Sequence, residues 1–218
     1  MRRKKVQLYT DIYDDSMWLI NLVENLLSIS RIDNGTITIK MEPELVEEVI
    51  NEALFHVNRK FKEHNIIVKL SDDMLMAKMD ASLITQVIIN IVDNAIKYTE
   101  IGSNIEIASI QKGSMVEISV ADDGNGIPDE AKGKLFDMFF TAENANLDSR
   151  RGLGLGLALC KSIVAAHGGN IFVKNNSPKG TIICFTLEAE NKTIQTLRPL
   201  RGLREDVGIN EKTFDSRH

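Results

Sequence analysis

Residues 86–99 read QVIINIVDNAIKYT and have the spacing of one amphipathic helix. An α-helix completes a turn about every 3.6 residues, so positions three and four apart share a face. The apolar residues on one half of this helix are Ile84, Val87, Ile88, Ile91, Val92 and Ala95. A polar stripe beside them consists of Gln86, Asn90, Asn94 and Lys97. The pattern therefore predicts two amides and an ammonium in line along the border of an apolar face.

Asn90 and Asn94 lie one helical turn apart on this stripe. Their neutral amide oxygens suit a hard cation in a half-buried cleft, and Lys97, further along, suits a phosphate. A surface helix with an amide-rich polar side has the same pattern. The helix alone does not separate these two interpretations.

Upstream of this helix, the pattern predicts strands over residues 66–70 and 74–79, and Asp80 is placed to cap the helix. A strand is predicted over 36–41, and a helix that begins near Pro43 and covers 45–60. Residues 4–33 contain neither Gly nor Pro. They include a heptad-like seam formed by Ile12, Leu19, Leu22, Leu26 and Ile29. We expect this long helix to pair with another helix; the alternative is a single long core helix.

Downstream, residues 104–111 and 115–121 alternate as a hairpin, and the second strand leads into Asp122. A calcium loop is excluded here because Ala121 and Lys132 stand where carboxylates are needed. A buried carboxylate accepts hydrogen bonds and suits the exocyclic amine of adenine, while Gly124 and Gly126 let backbone approach a flat ligand. The alternative is a tight turn with a solvated Asp122.

An aromatic cluster at 135–140 is followed by a polar stretch, 141–151, that predicts a mobile loop. Glycines then lead into a helix that ends near His167, and free N–H groups at a helix N-terminus favour an anion. The glycine spacing is neither the dinucleotide fingerprint nor the Walker pattern. Strands over 170–174 and 181–187 follow, joined by a turn at 177–180.

Composition sets broad limits. The chain has 218 residues, enough for one main domain and an accessory element, and a net charge of −5. That charge argues against a nucleic-acid binder that works through its overall field. Cys160 and Cys184 lie in apolar surroundings, which favours buried free thiols in a reducing compartment. No apolar run approaches the roughly 20 residues of a membrane span.

Five motifs, in their order along the chain, resemble the N, G1, F, G2 and G3 boxes of sensor histidine kinases. They are Asn90 to Tyr98, Asp122 to Ile127, Phe136 to Phe139, Gly152 to Leu157, and Gly180-Thr181. The sequence LVENLLSISRIDNG also resembles the second helix of that family's dimerisation and phosphotransfer hairpin. The resemblance spans nearly all of residues 5–190. A closer likeness to potassium-responsive sensor kinases rests on local similarity.

The resemblance implies an α+β protein with a Bergerat-type ATP-binding fold. This is a two-layer α/β sandwich, with a mixed and mostly antiparallel sheet covered by helices, preceded by a long α-helix. The implied organisation is a partial hairpin helix at 1–35, a catalytic ATP-binding domain at 36–190 and a C-terminal tail at 191–218.

By matched position, Asn94 is expected to ligate Mg²⁺ with Asn90 nearby, and Asp122 to bind the adenine amine of ATP. Lys97, Tyr98 and Arg151 are expected to reach phosphates. Gly152, Gly154 and Gly156 are expected to form the hinge of an ATP lid. The other implied nucleotide-binding residues are Gly124, Gly126, Ile127, Phe139, Leu153, Leu155, Leu157 and Thr181.

One departure limits the expected activity. No His-Glu-x-x-Thr-Pro acceptor pattern occurs, and the histidines are His56, His64, His167 and His218. We take His56 and His64 as structural or surface residues. The chain is therefore expected to be a histidine kinase part that begins after its acceptor and does not autophosphorylate alone, and no catalytic residue is assigned.

The resemblance also implies partners. They are ATP, the acceptor helix of the same kinase and a response regulator, with a homodimer in the full-length protein and a cytoplasmic location beside a membrane anchor. Two alternatives stay open. One is an ATPase of the same fold, whose families place a Glu where Asn90 stands. The other is a non-catalytic nucleotide-binding regulatory module.

Overall fold

The computed structural model describes residues 2–57, 64–70, 74–141 and 154–190. Helices and strands follow one another along the described chain in this order: α1 (Arg2–Asp33), β1 (Glu42–Leu45), α2 (Val46–Val57), β2 (Asn65–Leu70), β3 (Met76–Met79), α3 (Ala81–Tyr98), β4 (Asn104–Lys112), β5 (Met115–Asp122), α4 (Asp129–Lys132), α5 (Gly156–Ala166), β6 (Ile171–Asn175) and β7 (Thr181–Glu188). The predicted tail, 191–218, lies outside the described residues.

In the part of the chain that the structure describes, the main sheet has five strands in the order β2-β4-β5-β7-β6. Only the β2–β4 pair is parallel, and the other three pairs are antiparallel. In a separate antiparallel pair, β1–β3, Ala77 of β3 forms an isolated bridge with Ala189, the residue after β7. The predicted mixed, mostly antiparallel sheet is therefore confirmed.

The core lies between this sheet and a layer formed by α2, α3 and α5. Burial alternates along β5 and distinguishes the two faces of the sheet. Val116, Ile118 and Val120 are buried on the core face, while Glu117 is only partly buried on the other. Glu117 pairs with Lys112 at 2.9 Å and with Lys174 at 3.5 Å. The apolar residues predicted for α3 are all buried, so the α+β two-layer prediction is confirmed.

Helix α1 contacts α5, and its buried residues Ile29 and Ile32 lie near its C-terminal end. Along its seam, Ile12 is 54% exposed and Leu26 is 45% exposed, whereas Ile29 is 2% exposed. A core helix buries its apolar residues along its whole length, so that alternative is wrong for most of α1. The expected pairing with another helix stays a prediction. No described helix is long and apolar enough to cross a lipid bilayer.

The sequence prediction is wrong at the segment before α2. Residues 36–41 form no strand, because the Lys40 N–H donates to Asp80 Oδ2 at 3.1 Å, a side chain, instead of joining a ladder. Pro43 lies in β1, where a two-stranded edge tolerates its missing donor. Helix α2 begins at Val46, and the short helix α4 is an addition to the predicted elements.

The N-terminus of α3 is fixed as predicted by Asp80, whose Oδ1 accepts the Leu83 N–H at 3.3 Å. The Asp80 N–H donates to Nε2 of the buried His167 at 3.0 Å, and His167 Nδ1 lies 2.7 Å from Ile163 O. These partners require a neutral ring protonated at Nδ1. His167 therefore ties the end of α5 to the start of α3.

Candidate functional site

The amide stripe of α3 lies half-buried beside its apolar face. Asn90 is directed toward α5, since a Cβ built on Gly156 would lie 3.7 Å from Asn90 Oδ1. Asn90 Nδ2 is buried and has no hydrogen-bond partner among the described residues. Helix α3 therefore presents the Asn90 oxygen to the start of α5.

The start of α5 lies beside the amide stripe of α3. Leu155 precedes the helix and makes no side-chain cap, in contrast to Asp80 at the start of α3. The first N–H groups of an uncapped helix form an anion site together with the helix dipole. Within the described chain, these N–H groups are next to Asn90.

Gly154 anchors the chain just before α5. It has a φ of +64°, and an added Cβ would collide with Phe140 O and lie 2.7 Å from Phe140 N. Phe139, itself at a φ of +65°, donates its N–H to Gly154 O at 3.1 Å. The F-box and G2-box positions are thus in backbone contact, which explains the need for a glycine at residue 154.

The Asp122 carboxylate lies at the end of β5. Oδ1 accepts two backbone N–H groups, from Gly124 at 2.9 Å and from Thr181 at 3.2 Å. Among the described hydrogen bonds, none uses Oδ2, so this oxygen is available to a ligand. Burial raises the pKa of Asp122 in spite of these two hydrogen bonds. The solvated-turn alternative is therefore wrong for Asp122.

Glycines surround Asp122 at close range. A Cβ on Gly124 would lie 3.0 Å from both Asp122 Oδ1 and Thr99 Cγ2, so Gly124 joins the Asp122 loop to the end of α3. A Cβ on Gly126 would lie 3.3 Å from Gly180 O. The G1, G3 and N-box positions therefore meet around one carboxylate.

Two further predicted residues lie at the end of α3. Lys97 Nζ lies 4.9 Å from the centre of the exposed Tyr98 ring. Tyr98 also lines a small polar pocket with Gly124 and Lys179. Ile127, Leu157 and Thr181 are half-buried or buried. Arg151, Gly152 and Leu153 lie outside the described residues, as does most of the predicted loop.

The donor set allows a test of the Mg²⁺ expectation. No group of three or more His, Cys, Asp or Glu side chains is arranged for a metal in the described ranges. The half-buried amides of Asn90 and Asn94 supply neutral oxygens, and Mg²⁺ is commonly held by few protein ligands together with substrate phosphates. The residues present therefore fit a Mg²⁺ that arrives with a nucleotide.

Sequence reasoning missed Asn176. Its side-chain Nδ2 donates to Asp122 O at 2.7 Å, although the two residues are 54 positions apart. The only local signal is an Asn just before the Ser-Pro-Lys-Gly turn, a residue type that bonds nearby backbone.

Known proteins share both the sequence and the fold of this chain. Residues 79–191 match the family described as "Histidine kinase-, DNA gyrase B-, and HSP90-like ATPase". The sensor protein KdpD of Clostridium acetobutylicum is 47% identical over 188 residues, which cover 86% of this chain and 21% of KdpD. The chain thus spans about a fifth of the length of that relative.

Solved structures agree with this match. The catalytic domain of the histidine kinase ThkA has 30% identity and a TM-score of 0.61, covering 68% of this chain and 97% of that domain. ThkA in complex with the response regulator protein TrrA has 27% identity and a TM-score of 0.63, covering 78% of this chain and 49% of ThkA.

Proposed function

Because the chain belongs to the family of histidine kinase-, DNA gyrase B- and HSP90-like ATPases, we propose that it is the catalytic part of a two-component sensor histidine kinase. It binds MgATP and gives the γ-phosphate to a histidine on the dimerisation hairpin, and a response-regulator aspartate then receives it. Residues 36–190 are the catalytic domain, and 1–35 are the second hairpin helix.

The observation that most supports this proposal is that the Asn90 side chain lies close to Gly156, at the start of α5. The amide stripe lies beside the start of α5, where Leu155 makes no side-chain cap, and the half-buried Asp122 carboxylate is the proposed partner of the base. A phosphate end and an amine end are thus available to one nucleotide.

Each group has a role that follows from its chemistry. Asp122 Oδ2 accepts the adenine amine, Asn94 with Asn90 holds the metal, and the α5 N-terminus with Lys97 attracts phosphate oxygens. Mg²⁺, when bound, would neutralise negative charge on the phosphates. Phosphoryl transfer needs positioning and charge neutralisation more than acid or base groups. This domain therefore needs no further acid or base for its part of the reaction.

Asn90 favours a kinase over a hydrolase. A water-activating base must accept a proton, and an amide does not do so at neutral pH. The Asn90 oxygen faces Gly156 within the described structure. We therefore expect slow ATP hydrolysis by the chain alone.

The proposed partners follow from the same assignment. The exposed seam of α1 is the surface for the other hairpin helices of a homodimer. ThkA, in complex with TrrA, is the precedent for a response regulator as partner. Cys160 and Cys184 are buried free thiols, which supports the cytoplasm as the proposed location.

Replacing Asn94 with alanine should weaken MgATP binding by about tenfold or more. Losses of this size are typical even for residues that only support a metal ligand, and a direct ligand should cost at least as much. ATP binding measured with EDTA should change little, because Asn94 acts through the metal. Titration calorimetry of both nucleotide forms makes the comparison, with Gln86→Ala on the same stripe as control. Equal losses with and without Mg²⁺ would show that Asn94 is not a metal ligand.

The kinase assignment predicts transfer to a separate acceptor. The chain should bind ATP and take up no phosphate itself, whereas an added dimerisation hairpin with its histidine should become labelled from γ-labelled ATP. An acid-labile, base-stable adduct on the hairpin supports the proposal, since transfer requires an imidazole nitrogen in line with the nucleotide.

Two other outcomes identify the alternatives. An unlabelled hairpin together with brisk ATP turnover indicates an ATPase. An unlabelled hairpin without turnover, although ATP binds, indicates a regulatory module.

A further inference from the structure

Asn176 lies in the turn between β6 and β7, and all the polar atoms of its side chain are used. Its Nδ2 donates to Asp122 O at 2.7 Å, and its Oδ1 accepts the Ser177 N–H at 2.8 Å. The Asn176 N–H donates to Gly180 O at 3.0 Å. The turn is therefore closed by backbone and Oδ1, and Nδ2 is the one atom of the Asn176 side chain that reaches the site.

The atom that Nδ2 holds belongs to the residue with the ligand-binding carboxylate. The β5–β7 pairing ends at Ala121 and Ile182, one residue before Asp122. Beyond that point, Thr181 fixes Asp122 Oδ1 and Asn176 fixes Asp122 O. Asp122 is thus held at both its main chain and its side chain by the β6–β7 turn and the strand that follows.

The direction of Oδ2 depends on both restraints. Gly124 and Thr181 hold Oδ1, while the backbone of Asp122 is paired on one side only, with Ile105 of β4. The bond from Asn176 restrains the Asp122 main chain on the other side, where the pairing with β7 has ended. A carboxylate held in advance costs less ordering when a ligand binds, and the gain is specific to a ligand that uses Oδ2.

We propose that Asn176 is a positioning residue for nucleotide selection: it holds the Asp122 main chain so that the Asp122 carboxylate meets an exocyclic amine on the purine. This inference rests on the proposed binding of ATP and extends it. Asn176 acts through Asp122 and does not itself touch the base.

The test compares ATP with inosine triphosphate, which has an oxygen where ATP has the exocyclic amine. Asn176→Asp keeps the Oδ1 acceptor for Ser177 and loses the donor to Asp122 O. The ratio of ATP to inosine triphosphate affinity should fall about three- to tenfold, the value of one hydrogen bond. The added negative charge lies close to Asp122 and also affects nucleotide binding, so an uncharged variant is needed to isolate the lost hydrogen bond.

Asn176→Ala serves as a second, uncharged variant, and Ser177→Ala in the same turn is the matched control. Calorimetry at one Mg²⁺ concentration gives the affinities, and thermal unfolding reports stability. A lower ratio in either folded Asn176 variant, with the ratio of Ser177→Ala unchanged, supports the inference.

Two results separate the inference from the function on which it rests. If the unmodified chain shows no preference for ATP over inosine triphosphate, the proposed role of Asp122 is wrong, and this inference with it. If the unmodified chain prefers ATP and both Asn176 variants keep the full ratio while only their thermal stability drops, Asn176 is merely structural and the inference alone is overturned.

Discussion

Replacing Gly180 with alanine is expected to destabilise the folded chain by roughly 2–6 kcal/mol, the sum of backbone strain and overpacking. Gly180 has a φ of +116°, and its added Cβ would collide with Asp122 O and lie 2.8 Å from the Asp122 carbonyl carbon. Both obstacles are backbone, so no side-chain rotation relieves them. The denaturant midpoint in urea measures the loss.

Two control variants separate the two causes. Gly113→Ala has strain alone, with a φ of +64° and nothing within 4 Å of the new Cβ. Gly133→Ala has neither, because its φ is −63° and its surroundings are open. If Gly180→Ala unfolds at the same urea concentration as Gly113→Ala, the collision with Asp122 is not real.

Replacing Asp122 with asparagine should weaken ATP binding about 10- to 100-fold, the value of a hydrogen bond to a charged group. Folding stability should stay equal or rise at neutral pH. Burial raises the pKa of Asp122, so its charge disfavours the folded state. The stability due to this group is present at low pH and is lost as pH rises through the raised pKa. The amide of the Asp122→Asn variant does not titrate, so the variant has no such dependence.

Asp123→Asn is the matched control, with the opposite expectation. Burial acts to raise the pKa of Asp123, but hydrogen bonds from Asn104, at 3.1 Å from N and 2.8 Å from Nδ2, outweigh it and lower the pKa. The ionised Asp123 carboxylate therefore stabilises the fold at neutral pH, and this stabilisation is lost as pH falls through the lowered pKa. Asp123→Asn should therefore lose stability and keep ATP affinity. Urea unfolding and calorimetry at several pH values test the pair, and equal ATP losses in both variants would contradict the role of Asp122.

The sequence was sufficient where a local pattern decides the structure. The apolar spacing of α3 and its Asp80 cap are properties of neighbouring residues, and both appear as predicted. Residues 36–41 alternate like a strand, yet Lys40 is held by Asp80 from another part of the chain. Local alternation therefore failed where a distant side chain supplies the backbone partner.

In the candidate site, too, local patterns were predicted from the sequence and contacts between distant residues were not. Matched motifs indicated Asp122 and Gly180, but not that the Gly180 Cα faces the Asp122 carbonyl. Asn176 is 54 residues from Asp122, and its neighbours along the chain give only a turn signal. Contacts of this kind are made by the folded sheet, so a single sequence does not reveal them.

The hydrogen bond between Phe139 and Gly154 also governs which changes in chain length the protein tolerates. It joins the two ends of residues 140–153 into a closed ring, and the entropic cost of such a ring grows by only about 0.6 kcal/mol for each doubling of its length. One residue inserted between Asn90 and Asn94 would instead rotate the two amides apart by about 100°. The entropy of closure therefore places little limit on the number of residues between Phe139 and Gly154, whereas an insertion within α3 separates the two amides.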